Sequence, residues 1–172
     1  MSKKREAFRA LTQERISEAL KPSNTTHPVL SAVLFSHATA TKGGASMDVN
    51  TGNIATPKDD LHFVGGEKDV KGKRIKTKMI DKGKSSPGVT PLQALQHRMR
   101  IQKATGGQKS VNMGSWINQD NPKEGVYIDA SRGYTDLGEA KKTMESRNEM
   151  ALFSMKKGEI KNKKYDPNKK QT

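Results

Sequence analysis

The histidines and carboxylates are the side chains of this sequence that could bind a metal ion. None of the four histidines lies in a short metal-binding pattern such as HExxH. Asp59, Asp60 and His62 could supply oxygen and nitrogen ligands to a divalent ion. Adjacent carboxylates in a turn flanked by lysine are, however, more often a solvated loop. We therefore predict no metal site.

A metal-free nuclease is the main enzymatic alternative. Its active site needs a general acid and a general base beside the scissile phosphate, with cations that stabilise the developing charge. The residue types for such a site are present in His97, Arg98, Arg100, Glu139 and Glu145. No spacing in the sequence brings these side chains together. We therefore predict a protein without catalytic residues or cofactors.

Aromatic side chains offer a different chemistry, because bases of single-stranded nucleic acid stack on aromatic rings of a β-sheet. The candidates are Trp116, Tyr127, Tyr134 and Phe153. Aromatic residues make up only 5% of the chain and hydrophobic residues 31%. A chain so poor in large side chains needs them for its core. We therefore predict that Trp116 and Phe153 are buried, and leave the roles of the two tyrosines open.

The strongest signal in the composition is charge. The chain has 32 Lys and Arg against 18 Asp and Glu, a formal net charge of +14. Such a charge attracts polyanions, of which nucleic acid is the commonest, and an acidic protein surface is the other candidate partner. Cysteine is absent, which excludes disulfides and thiolate metal sites.

Residues 67–84 hold the densest run of charge. Cations alternate there with Ile75, Thr77 and Met79. In a strand, this period of two places the cations on one face and the apolar side chains on the other. A second basic stretch follows in the helix predicted over 90–104. Together they give the predicted nucleic-acid contacts: Lys71, Lys73, Arg74, Lys76, Lys78, Arg98, Arg100 and Lys103.

Capping and turn residues define the helix over 90–104. Thr90 followed by Pro91 is typical of an N-cap and first helical position, and the glycine pair at 106–107 ends the helix. Leu92, Leu95 and Met99 recur at helical spacing and predict the buried stripe. The arginines and Lys103 are then expected to project elsewhere.

The remaining pattern predicts an α+β protein with a small antiparallel sheet, two or three helices and basic irregular segments. Alternation or turn signals place strands near 45–49, 61–64, 113–117, 126–128 and 151–155, and the turn signal at 50–53 predicts that the first two pair as a two-stranded unit. Asp136 has the spacing to Glu139 of a helix cap. The segment 29–35 fits either a buried strand or a short helix.

Three regions follow from these patterns. Residues 1–22 predict an amphipathic N-terminal helix ending at Pro22, residues 23–160 a single α+β domain, and residues 161–172 a basic flexible tail. The sequence has no apolar leader and no apolar run long enough to span a bilayer. We therefore expect no membrane partner, and a location in the cytoplasm of a host cell or within a virion.

Residues 107–160 resemble a β-β-α-β segment of uncharacterised bacteriophage proteins. The likeness rests on Gly114-x-Trp116, Tyr127-x-Asp129-x-Ser131, a helix with Ala140 and Arg147-Asn148, and Ala151-Leu152-Phe153 before Gly158-Glu159. It implies a viral or mobile-element origin and no particular activity.

The sequence thus predicts a basic, non-enzymatic accessory protein. We expect it to bind DNA or RNA through phosphate contacts, which depend little on sequence. The alternative is a structural virion or assembly protein whose polar segments are ordered by protein partners.

Overall fold

A computed structural model describes residues 27–169 of the chain. The predicted helix at 1–22 and the last three residues of the predicted tail lie outside the described residues. The described part has the predicted α+β fold, with three α-helices and seven strands. The helices are α1 (Pro28–Lys42), α2 (Pro91–Thr105) and α3 (Leu137–Ser146). The strands are β1 (Gly44–Asp48), β2 (His62–Val64), β3 (Lys78–Ile80), β4 (Val111–Ile117), β5 (Val126–Tyr134), β6 (Ala151–Ser154) and β7 (Gly158–Lys161).

The strands form one antiparallel sheet in the order β1-β4-β5-β2-β6-β7. Strand β5 is central and pairs with β4 over residues 126–132. Its other edge pairs first with β3, at 126–128, and then with β2, at 132–134. The predicted pairing of the strands near 45–49 and 61–64 is therefore wrong, because β1 pairs with β4 while β2 lies between β5 and β6.

The segment 29–35, which the sequence left open, is part of helix α1. Proline at its first position and a left-handed Gly43 (φ 76°) at its end define the helix. The hydroxyls of Ser36, Thr39 and Thr41 each donate to the carbonyl four residues earlier, at 2.8 Å. These bonds satisfy polar side chains within the helix and leave Phe35 to fill the core.

All three helices bury side chains against the same face of the sheet. The larger core cluster joins α1 and α2 to alternate residues of β1, β4 and β5, and the smaller cluster joins α3 to Val64 and Leu152. Because side chains of a strand alternate between faces, the intervening residues of those strands lie on the opposite face. No α-helix within residues 27–169 packs on that opposite face, which we call the helix-free face.

Helix α2 buries a different side from the one predicted. Thr90 caps it as expected, accepting from the amide of Gln93 at 3.2 Å. Leu92 and Met99, however, are 65% and 60% exposed, while Ile101 is fully buried. The prediction of a buried Leu92, Leu95 and Met99 stripe is therefore wrong, and Leu95 alone of the three packs against the core cluster.

Arg98 explains this choice of face. The side chain is only 7% exposed and enters the core, where its Nε donates to the carbonyl of Val49 (2.8 Å) and its Nη2 to the carbonyl of Asn50 (3.0 Å). Burial lowers the pKa of Arg98. The guanidinium thereby satisfies carbonyls where the chain leaves β1, and it fixes α2 to that turn.

A buried ion-pair cluster separates the two core clusters. Arg132, paired in register with both Val64 and Val111, donates through Nε and Nη2 to the carboxylate of Glu67 at 2.8 and 3.2 Å. Arg147 donates to the same carboxylate at 3.2 Å. Burial alone would raise the pKa of Glu67, but the bonds from Arg132 and the charge of Arg147 hold it below its usual value.

Local signals correctly placed helix α3. Asp136 caps it by accepting from the amide of Glu139 (2.6 Å), and Ala140 and Met144, one turn apart, are buried. The described part of the predicted tail contacts the domain, since Asn148 donates to the carbonyls of Asp166 and Lys169. Of the helices described, none is both long and apolar enough to cross a membrane.

Replacing Arg98 tests its structural role. We expect Arg98→Ala and Arg98→Lys each to lower the free energy of unfolding by about 2–3 kcal/mol, because both leave buried carbonyls without their donor. Lys103→Ala, an exposed change on the same helix, is expected to alter it by less than about 0.5 kcal/mol. Urea denaturation measures all three. Full stability of Arg98→Lys would show that the two carbonyl bonds are dispensable.

Candidate functional site

The basic segment of residues 69–78 lies against the C-terminal half of helix α2. The amide of Val70 donates to the carbonyl of Ala104 (3.0 Å), and Nη1 of Arg100 donates to the carbonyl of Lys76 (3.4 Å). These contacts bring the two basic stretches of the sequence onto one surface. We call this surface the basic strip; it comprises Lys71, Lys73, Lys76, Lys78, Arg100 and Lys103.

Asp69 folds residues 69–73 into a turn that exposes two lysines. Its carboxylate accepts from the amides of Lys71 and Lys73, both at 2.9 Å, and its own amide donates to the carbonyl of Lys73 at 2.8 Å. Gly72 supplies the left-handed conformation that the turn requires, with φ of 76°. Both lysine side chains therefore extend into solvent.

The predicted strand over 67–84 is wrong except at residues 78–80. Only Lys78–Ile80 is a strand, since the turn at Asp69 interrupts the extended chain. Lys78 and Met79 point to opposite faces of this short strand, but residues 76–79 are all exposed, so the alternation buries no apolar side there. Ile75 is buried, with its amide bonded to the carbonyl of Glu67 (2.9 Å). The lysines are gathered by the fold rather than by strand alternation.

Two of the predicted contact residues have structural partners. Arg74 forms an ion pair with Glu149, and the two side chains are only 21% and 13% exposed. Arg98 binds carbonyls in the core. Arg100 lies at the edge of the strip: burial lowers its pKa, and its Nε and Nη2 are buried without a hydrogen-bond partner among the described residues. We therefore assign Arg74 and Arg98 to the framework.

The structure does not gather the residues of the nuclease alternative. Burial lowers the pKa of His97, and the nearby charges of Arg100 and Lys78 lower it further. No carboxylate is among the groups that shift it. Glu145 pairs instead with Lys164 at 2.8 Å. His97 thus lies among cations, and no carboxylate of the described residues is hydrogen-bonded to it.

The acidic turn before β2 has other partners. Asp60 forms an ion pair with Lys156 at 2.8 Å, whereas His62 is buried in the sheet. Within residues 27–169, no group of three or more histidine or acidic side chains is arranged to hold a metal ion.

An apolar row crosses one end of the helix-free face. Met79 of β3, Tyr127 of β5 and Trp116 of β4 are paired in register, and Gly44 of β1 follows beside Trp116. Trp116 is 44% exposed and its ring meets that of Tyr127 edge to face, with centroids 4.9 Å apart. The hydroxyl of Tyr127 donates to Glu124 (3.1 Å), which holds the ring in place.

The predicted burial of Trp116 and Phe153 is wrong. Phe153 is 50% exposed and pairs in register with Phe63, on the helix-free face. Both exposed rings lie on the opposite face of their strand from its buried residues, Met113 in β4 and Leu152 in β6. The period of two therefore outweighs side-chain size in deciding which residues of these strands reach the core.

A carboxylate lies at the centre of the helix-free face. Asp129 is two residues beyond Tyr127 on β5 and pairs in register with Gly114. Burial, followed by the charge of Glu149, raises the pKa of Asp129 to about 6, although Arg74 opposes the shift. Among residues 27–169, no side chain donates a hydrogen bond to this carboxylate. An ionised group is thus retained where ionisation is unfavourable, as at many functional sites.

Sequence reasoning missed Asp129 as a site residue, although a signal was present. Val126, Ile128 and Ala130 are apolar and alternate with Tyr127-x-Asp129-x-Ser131. That alternation places the three polar residues on one face of a strand. What the sequence does not show is that glycine would flank Asp129 on the neighbouring strand.

Comparison of the chain with models of known families, with curated proteins and with solved structures found no match. The resemblance to bacteriophage proteins therefore stays a prediction, and functional inference rests on the geometry above.

The raised pKa of Asp129 predicts a pH-dependent effect of Asp129→Asn. Because the folded state binds the proton more tightly than the unfolded state, the stability gained from this proton is present near pH 4 and lost as pH rises through 6. The neutral amide avoids that loss. We expect the variant to be more stable than the parent by about 1–2 kcal/mol at pH 7.5, and equally stable near pH 4.

Urea denaturation at pH 4, 6 and 7.5 measures this difference. The exposed change Asp120→Asn controls for the loss of one negative charge and is expected to leave stability unaltered at each pH. A parent protein more stable than Asp129→Asn at pH 7.5 would contradict a raised pKa.

Proposed function

We propose that this protein binds nucleic acid through phosphate contacts made by the basic strip. The supporting observation is that the fold brings exposed lysines from two distant segments onto one surface: Lys71, Lys73, Lys76, Lys78 and Lys103. None of the ion pairs formed within residues 27–169 involves one of these lysines. Their charge is therefore available to a polyanionic partner.

The chemistry of the strip favours nonspecific binding. Lysine is a flexible point charge that contacts phosphate without reading bases. Each phosphate that it neutralises releases condensed counterions, so five contacts give a slope of about −4 in a plot of log affinity against log salt. We propose, on the same charge pattern, that the protein is non-enzymatic.

The resemblance at 107–160 supports a bacteriophage origin, and with it action in the host cytoplasm or within a virion. The alternative of a structural assembly protein differs in its partner. In that case the strip would contact an acidic protein surface, and isolated protein would show little affinity for nucleic acid.

Reversing three lysines of the strip tests the proposal. We expect Lys73→Glu, Lys76→Glu and Lys78→Glu together to weaken binding to a 20-nucleotide DNA by at least about 100-fold at 50 mM salt and to flatten the salt slope by about 3. Arg74 is left intact because its ion pair with Glu149 supports the fold. Fluorescence anisotropy over a salt series measures both quantities.

The matched control places the same charge change elsewhere. Lys141, Lys142 and Lys161 are exposed residues of α3 and β7. Their reversal to Glu is expected to reduce affinity much less, through net charge alone. Equal losses in the two triple variants would show that the total charge, and not the strip, attracts nucleic acid. Absence of binding by the parent would favour the assembly alternative.

A further inference from the structure

The centre of the helix-free face holds polar groups around Asp129 that the basic strip does not explain. Gly114 flanks Asp129 on β4, and a methyl group placed on Gly114 would lie 2.5 Å from Oδ1 of Asp129. Gly65 flanks it after β2, where a methyl group would lie 2.9 Å from Oδ2. Because neither neighbour has a side chain, neither covers the carboxylate of Asp129, which is partly exposed.

Two further groups around Asp129 have unused hydrogen-bonding capacity. Ser131 is 3% exposed, and its Oγ has no hydrogen-bond partner within residues 27–169. That oxygen lies 3.9 Å from the methyl position on Gly114, beside Asp129. Glu149 uses Oε1 to bind Arg74, while its Oε2 lies 3.4 Å from the methyl position on Gly65. A buried hydroxyl without a partner is costly, so its presence indicates a ligand.

The charges around Asp129 determine which chemical groups a ligand must present. Two carboxylates, of Asp129 and Glu149, face one guanidinium, of Arg74, so acceptors exceed donors. A ligand that fits must therefore present N–H groups. An anion is disfavoured, which separates this position from the phosphate-binding strip.

The apolar row determines the shape of the ligand. Tyr127 and Trp116 each lie two residues along their strand from Asp129 and Gly114, a distance of about 7 Å. The two rings are inclined by 67°, so a planar ring stacked on Trp116 meets Tyr127 at an angle and can direct one edge to the carboxylate of Asp129. Met79 extends the row to β3, which also bears Lys78 of the basic strip. Lys78 pairs with the core residue Ile128 and therefore lies on the helix side of the sheet, opposite Met79. Among the described strands β3 pairs with β5 alone, so a strand held by the strip would pass around the free edge of β3 to reach the row.

We infer that the helix-free face binds a nucleobase with an exocyclic amino group, stacked on Trp116, touching Tyr127 and donating to Asp129, with Ser131 as a second contact. This inference rests on the proposed function, because the strip supplies the strand. Carboxylates accept from the amino group of cytosine. Thymine presents an oxygen at that position, and two acceptors would then face each other.

Paired oligonucleotides test the base preference. At pH 7.5 we expect the protein to bind a 12-nucleotide oligo(dC) about tenfold more tightly than oligo(dT). Trp116 is the single tryptophan of the chain, so its fluorescence reports directly on stacking. We expect saturation with oligo(dC) to quench it.

Three variants test which residues cause the preference for oligo(dC). Asp129→Asn is expected to abolish or reverse it, because an amide can donate to the oxygen of thymine. Ser131→Ala is expected to weaken oligo(dC) binding several-fold. Asp120→Asn, an equal charge change at an exposed turn, is expected to retain the tenfold preference. A preference for oligo(dC) that survives Asp129→Asn would overturn the role of Asp129.

Different results would contradict the proposed base site and the proposed role of the strip. If the parent binds both oligonucleotides with equal affinity, base recognition is overturned. If the triple lysine variant then loses binding to both, the role of the strip still stands. If neither oligonucleotide binds, free cytidine and uridine at millimolar concentration test the base site alone. Quenching of Trp116 by cytidine but not uridine would support the site even then, and no quenching by either would overturn it.

Discussion

The alternation of side chains along strand β5 is the constraint on which the rest of the structure depends. Its apolar residues Val126, Ile128 and Ala130 join the larger core cluster, so Tyr127, Asp129 and Ser131 must lie on the other face. A shift of register by one residue would exchange the two sets. Because β5 pairs with β4, β3 and β2, this single choice fixes the faces of all of them.

The chain between β2 and β3 shapes the candidate base site. At Gly66 it turns left-handed (φ 71°), which allows Glu67 to reach Arg132 and Arg147 on the helix side of the sheet. The neighbouring Gly65 stays beside Asp129 and has no side chain to cover it. Residues 65–67 thus place the ion-paired Glu67 on the helix side of the sheet and leave Asp129, on the helix-free face, without an ion-pair partner within residues 27–169. Removing one partner from the buried cluster would be strongly destabilising, whereas Asp129 and Ser131 are retained at a cost to stability.

Local sequence signals predicted those helices and strands whose position depends on residues close to them along the chain. The caps at Thr90 and Asp136 and the strands near 113–117 and 126–128 are of this kind. The buried side of α2 could not be predicted, because Arg98 turns inward to carbonyls 48 and 49 residues away. The basic strip was recognised in composition, yet its grouping depends on tertiary contacts between 69–78 and α2. Predicting the base site would have required knowing that Gly114 pairs in register with Asp129, and no local sequence pattern contains that information.

Charge and geometry act at different ranges in this protein. The net charge of +14 acts over about a Debye length of 8–10 Å and can only concentrate polyanions near the surface. Discrimination between bases requires contact, and the lysines of the strip are too flexible to provide it. Asp129 is the opposite kind of group: rigidly placed on the central strand, incompletely solvated and negative. A negative group lowers affinity for phosphate, so attraction of polyanions alone does not explain an unpaired carboxylate at the centre of the sheet. It is explained if the strip holds the backbone of a strand and Asp129 selects among its bases.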